Sequence, residues 1–328
     1  MSPILIAVII LGLGFALLNG VHDSSNVVAT MISSRAFSPP VALGVTALAN
    51  FLAPFIFGLA VAETIGNDVV ASSSINVIVI VAALASAILW DLLTWYLGFP
   101  SSSSHALVGG LIGAVVIGGG WQAVELPGLI KVLVALFTSP LLGFIFGLIL
   151  LRLILILSWN ATPKVNGLFK HSQIITGVAL ALSHGANDAE KTMGIMTLGL
   201  VTDGYLRVFA VPFWVIIICA GAIALGTAIG GWRLIRTLGG KMFKIRPIDG
   251  FTSQLASAII IIGASLIGGP VSTTQVVSAT IMGAGTAERA NKVRWGVAWD
   301  ITMAWLLTIP ATALVAGGLY SALIRIIP

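Results

Sequence analysis

Gly20-Val21-His22-Asp23-Ser24-Ser25-Asn26 and Gly185-Ala186-Asn187-Asp188-Ala189-Glu190-Lys191 are the stretches on which the fold turns. Each sets an acid and an amide into apolar surroundings, and the second follows the first by 165 residues. A second pair recurs at nearly the same interval. Pro100-Ser101-Ser102-Ser103-Ser104-His105 returns 170 residues on as Pro270-Val271-Ser272-Thr273-Thr274-Gln275. Each motif is weak alone. Two motifs in one order, at an offset close to half of 328 residues, signal an internal duplication.

Outward from these motifs the chain is apolar. Hydrophobic residues make up 58% and charged residues 8%, with a mean hydropathy of +1.09. A soluble domain carries roughly 25% charged residues, so a solvated surface cannot be built here and the chain reads as an integral membrane protein. Apolar runs stand at 4–18, 39–62, 76–99, 126–157, 173–182, 207–230, 251–268 and 296–324. Pro140 and Pro310 fall in the two long runs and predict tilt or kinks there. Ile4–Leu18 lacks a basic leader and reads as mature structure. The net charge of +5 sits largely in short loops, the pattern of cytoplasmic loops, and nucleic acid is not expected as a partner. Cys219 is the single cysteine, which excludes an internal disulfide or a multi-thiolate metal site.

Loop charge then orients the halves. Residues 231–246 carry Arg233, Arg236, Lys241, Lys244 and Arg246, and 287–294 carry Arg289, Lys292 and Arg294. Both loops are expected in the cytoplasm, so the chain between them enters, turns at Pro270–Gln275 and returns as a re-entrant hairpin. The first-half counterpart is flanked by Glu63, Asp68 and Glu125, with no Lys or Arg in 63–75 or 119–126, and should open outward. The expected fold is therefore all-α: a polytopic membrane protein with inverted repeats, broken helices at the Asp motifs and two re-entrant hairpins. Residues 1–157 form the first repeat, 158–172 a cytoplasmic connector and 173–328 the second, with both termini external. Secondary transporters use this plan, placing half-helix ends at a site near the bilayer midplane.

The motifs carry chemistry suited to that place. Asp23 and Asp188 in apolar surroundings need a proton, a cation or a partner, and Asp also caps helices. Amides at Asn26 and Asn187 can help dehydrate a cation or donate to an anion. The hydroxyl clusters Ser101–Ser104 and Ser272–Thr274, with free N–H groups at a helix start, offer the convergent donors that a tetrahedral oxyanion needs. Lys191 replaces Asn26 in the second copy, and its ammonium can stand where a bound cation otherwise would. His22 and His105 can relay protons; His184 shares that position, and the histidines lack metal-ligand spacing. Asp91 and Asp300, each following a tryptophan, are further acids that either pair with a base or border an ion path. No nucleophile–base spacing points to an enzyme.

Together the four motif sites resemble the paired signature of the inorganic phosphate transporter (Pit) family: a Gly-Ala-Asn-Asp core and a Pro-x-Ser-Ser/Thr-Ser/Thr-His hairpin tip. The second core stands intact at His184–Asp188; the first is altered to Gly20-Val21-His22-Asp23, with Asn26 kept. The resemblance spans essentially the whole chain and implies a symporter that imports inorganic phosphate across a bacterial or archaeal cell membrane. It assigns Asp23, Asn26 and Asp188 to the coupling ion. It assigns Ser102, Ser103, Ser104, Asn187, Lys191, Ser272, Thr273 and Thr274 to the substrate, with His22 and His105 as proton-relay residues. Three departures, His22, Lys191 and Gln275, turn the expectation from sodium toward proton coupling, with sodium the alternative. They also resemble bacterial members that carry phosphate as a neutral complex with a divalent metal. No cofactor is implied. A homodimer is compatible with the family, and the residues are silent on it. Transport of another oxyanion such as sulfate, and a passive channel, are the rival readings.

Overall fold

Several helix starts have a local cause. The structure, a computed structural model, describes residues 2–68 and 76–326; the acidic stretch expected at 63–75 lies outside the described residues from 69 onward. Helix α1 (Pro3–Ser33) opens at Ser2, whose hydroxyl accepts from the Leu5 N–H, with proline in the first turn. α2 (Pro39–Phe57) is followed by the short α3 (Ala60–Glu63) and a π turn (Thr64–Asp68). Asn76 caps α4 (Val77–Leu97), which ends at Gly98 with φ 75°. Then come α5 (Ser103–Gly119), a 3₁₀ turn (Trp121–Ala123) and α6 (Leu126–Leu157). The second half runs α7 (Val165–Thr202), α8 (Phe213–Ile229), α9 (Trp232–Arg236) with a π turn (Thr237–Lys241), α10 (Pro247–Leu266), α11 (Thr273–Glu288), a 3₁₀ turn (Ala290–Lys292) and α12 (Trp295–Ile326).

Among the described residues the second half repeats the element order of the first, including the π and 3₁₀ turns. By length and composition α1, α2, α4, α6, α10 and α12 can cross a membrane, and α8 with its continuation beyond a 57° bend makes a seventh. The protein is an all-helical, multi-pass membrane protein. On α6 the residues turned outward, Leu141, Leu142, Ile145 and Ile149, are half exposed and apolar. Its buried stripe runs through Ser139, Gly143, Gly147 and Leu151 at the spacing of one helix face. A Cβ on Gly147 would meet the Thr280 carbonyl oxygen at 2.6 Å, so this glycine is what lets α11 lie against α6.

The helix breaks are not where the sequence suggested. Both Asp motifs lie inside unbroken helices, α1 and α7, and the breaks fall instead at Gly58–Leu59 and Gly230–Gly231. The reason is local. Ser24 and Ser25 return their hydroxyls to the Val21 and His22 carbonyls one turn back, at 2.8 and 3.0 Å. The remaining polar side chains of the motif find partners on other helices, so the helix has no need to open. The motif helices also close the breaks of the opposite half. Glu190 of α7 accepts from the Val61 N–H at 2.8 Å and the Ala62 N–H at 3.4 Å, at the start of α3. Ser24 of α1 accepts from the Gly231 N–H at 2.8 Å, ahead of α9. The connector differs in one respect: α7 already begins at Val165, inside 158–172.

The halves interlock. α5 packs on α12 and α6 on α11, while α1 packs on α8 and α2 on α7. Within each half, α4 pairs with α5 and α10 with α11, and the turns that join them, at Pro100–Ser102 and Gly268–Ser272, are buried. At the far end of the second pair, Arg246 and Lys292 bridge Asp249 and Glu288. Burial draws the Lys292 ammonium below its ordinary pKa, with Asp249 opposing.

Candidate functional site

α1 and α7 pack against each other, and each presents its buried motif to residues in and just after both turns. Asp23 accepts from Thr274 Oγ1 at 2.8 Å and Ser103 Oγ at 3.3 Å. Asp188 accepts from Thr273 Oγ1 at 2.7 Å and from the Lys191 ammonium at 2.5 Å. Asn26 Nδ2 donates to Thr274 Oγ1 at 3.0 Å. Lys191 Nζ donates to Ser104 Oγ and to the Val271 carbonyl, both at 2.6 Å. Asn26 and Lys191 are counterparts in the duplication, as are Thr274 and Ser104, so these bonds are one interaction made twice. His105 and Gln275, also counterparts, approach within 3.4 Å of each other.

The sequence-predicted residues therefore converge, with a division of labour. Ser103, Ser104, Thr273 and Thr274 face the acids and the lysine. Ser102 and Ser272 instead cap α5 and α11, accepting from the backbone N–H groups of His105 and Gln275 at 3.1 and 3.3 Å. Asn187 donates to Ser265 Oγ at 2.9 Å and to the Gly269 carbonyl at 3.2 Å, which fixes the approach to the second turn. His22 joins Asp23 at 3.2 Å through Nδ1 and Thr94 at 3.4 Å through Nε2. All are buried. Lys191 is 1% exposed, and its three partners include a carboxylate, as a buried ammonium requires.

One participant, His184, enters the sequence reading only as sharing the relay chemistry of the other histidines and not as a partner of both acids. His184 Nε2 stands 3.0 Å from Asp188 Oδ2 and 3.9 Å from Asp23 Oδ2, while Nδ1 faces Asn50 Oδ1 at 3.3 Å. Side-chain ligand atoms of Asp23, His184 and Asp188 all lie within 4.8 Å of one another, a spacing that a small cation can bridge. The signal was present: His184 precedes Asp188 by four residues, one helical turn on the same face. The Oδ1 atoms of Asn26 and Asn187 are buried without a hydrogen-bond partner. A buried amide oxygen in that condition is short of a donor or a cation. The geometry can hold a positive charge between the acids and present hydroxyls to an anion beside it. Asp91, by contrast, is buried outside the cluster, and Asp300 is exposed on α12.

The chain is similar to known proteins in both sequence and fold. The model of the phosphate transporter family matches residues 19–316. A protein of Rhizobium meliloti (strain 1021) named "Probable low-affinity inorganic phosphate transporter" is 44% identical over 325 residues, covering 98% of this chain and 96% of that one. One of Bacillus subtilis (strain 168) with the same name is 42% identical, covering 94% and 93%. Among solved structures, "The sodium-dependent phosphate transporter" superposes with a TM-score of 0.93 over the full length of both chains at 24% identity, a likeness of fold.

Proposed function

We propose, from the premise that this chain belongs to the phosphate transporter family, that it is a proton-coupled symporter importing inorganic phosphate. The observation that carries the coupling is Lys191. In the first copy Asn26 leaves its amide oxygen unpartnered beside Asp23; in the second an ammonium sits 2.5 Å from Asp188. A fixed cation thus occupies one of two equivalent positions, which lowers the need for a mobile metal cation. Asp23, Asn26 and Asp188 are the coupling-ion residues in this reading, His22 and His105 pass protons, and no step needs enzymatic chemistry.

Phosphate enters between the two turns. Ser103, Ser104, Thr273 and Thr274 exchange their bonds to the acids for bonds to phosphate oxygens, while Ser102 and Ser272 hold the starts of α5 and α11, whose N–H groups favour an anion. Asn187 and Lys191 complete the substrate contacts. A proton offsets repulsion between phosphate and the carboxylates, and a divalent metal travelling with phosphate would serve the same end. Residues 1–157 and 173–328 act as inverted repeats that exchange which side is open, and the buried turns support their reading as re-entrant hairpins. The membrane is the bacterial or archaeal cell membrane. Ligands drive the exchange only through different affinities for the two states.

The test is phosphate uptake into proteoliposomes under an inward proton or an inward sodium gradient. Uptake driven by protons alone is expected; uptake that requires sodium would overturn the coupling and leave the substrate, and sulfate competing as well as phosphate would overturn the substrate. Asp23→Asn should insert in the membrane yet lose most uptake.

A further inference from the structure

Asp91 lies on α4, 1% exposed, and both of its carboxylate oxygens lack a hydrogen-bond partner. No ion pair reaches it among the described residues. An ionised carboxylate in that condition costs several kcal/mol, and in a bilayer-spanning helix no water repays it. The neutral acid removes most of that cost. A structural acid would be expected to have recruited a donor, as Asp23, Asp188 and Glu190 have done.

Its surroundings link it to the central cluster. One turn on, Thr94 hydrogen-bonds back to the Asp91 and Trp90 carbonyls at 3.3 and 2.9 Å. The same hydroxyl touches Ser101 Oγ at 2.8 Å and His22 Nε2 at 3.4 Å. From α1, the ionisable groups that face Asp91 electrostatically are His22 and Asp23. α5 brings His105, which is held by Ser102. α7 brings His184, Asp188 and Lys191, engaged with one another. α9 brings Arg233, which is bound to the Tyr96 carbonyl. α12 brings Asp300, exposed beside Trp90 and Leu93. Among the described residues none of these makes an ion pair or hydrogen bond with Asp91, and His22, which faces it, spends its Nδ1 on Asp23. The duplication supplies no second copy either: the counterpart of Asp91 on α10 is Ile261, fully buried and apolar.

We infer that Asp91 is a further carboxyl on which the transported proton is bound and released, on its way to and from the coupling-ion residues Asp23 and Asp188, an inference that rests on the proton-coupled phosphate reading. It sits on the first arm of the α4–α5 pair, one turn before Thr94, which touches Ser101 in the turn that leads into Ser103 and Ser104. A rearrangement of that pair changes what surrounds the carboxyl, so its proton is held in one state and given up in the other.

Two measurements on the full-length protein test this. In proteoliposomes, proton movement per phosphate imported is followed with a trapped pH dye for wild type and Asp91→Asn. Wild type is expected to move protons with phosphate, and the variant's proton movement to fall to background at whatever phosphate flux remains. A wild-type proton-to-phosphate ratio in the variant overturns the role of Asp91 alone. Wild-type phosphate uptake without proton movement overturns both that role and the coupling, and leaves phosphate as substrate. If Asp91→Asn carries no phosphate, the infrared carbonyl band of a protonated carboxylic acid decides. A band at neutral pH in purified wild type that the variant lacks supports the proposal; identical spectra sink it.

Discussion

Lys191 and Asn26 occupy equivalent places with different charge, and the difference is testable at a single atom. Removing an ammonium from a buried pair leaves the other charge uncompensated, at about 3–5 kcal/mol. Lys191→Asn, which restores the residue of the first copy, takes the ammonium from Asp188 and leaves it only Thr273 and His184. Uptake without added monovalent cation should then fall at least about tenfold, the equivalent of ~1.4 kcal/mol. It should recover when sodium is supplied, because the ion can take the vacated place between Asp188 and Ser104. Failure of sodium to restore uptake would mean that the lysine does more than stand in for a cation. Sequence could identify these residues because repeat alignment sets one copy against the other. It could not show that Ser102 and Ser272 spend their hydroxyls on helix caps, nor that His184 leans between both acids. Those depend on side-chain direction and on how α1 crosses α7.

The helices were legible where lipid is their solvent. The run 126–157 is the extent of α6, because its outward face must be apolar throughout. The reading failed where protein is the solvent: 4–18 captures only half of α1, and 173–182 a quarter of α7. Polar side chains satisfied by other helices do not interrupt a helix, although they interrupt a hydropathy run. The breaks at Gly58 and Gly230 escaped notice for the converse reason, since the N–H groups they leave without a helical partner are met by residues far away in sequence. That capping predicts an ordering. Glu190→Ala strands two buried donors, each worth about 1–3 kcal/mol, whereas Ser24→Ala strands one. Thermal unfolding in detergent should therefore show the larger loss for Glu190→Ala. Equal losses would argue that packing rather than the hydrogen bonds holds the breaks.

Inversion of the halves is a statement about the whole molecule, and the loops after α5 and α11 report on it. Cys219 is buried, so it gives little background to single-cysteine labelling. Cysteines placed at Trp121 and at Asn291, both exposed, should react from opposite faces of sealed vesicles; reaction from one face would remove the inverted arrangement. The interlocking of α5 with α12 and of α6 with α11 bears on how the protein is made. When α6 leaves the ribosome, the surfaces of α5 and α6 that will receive α12 and α11 have nothing to hold. At roughly 5–20 residues per second the missing half takes on the order of ten seconds to synthesise. Through that interval the nascent chain carries hydroxyls and an aspartate in the membrane with no mates. Biogenesis of this transporter is thus a wait with an open seam, and whatever shields the seam, whether lipid, the insertion machinery or a chaperone, is as necessary to a working molecule as the site it later encloses.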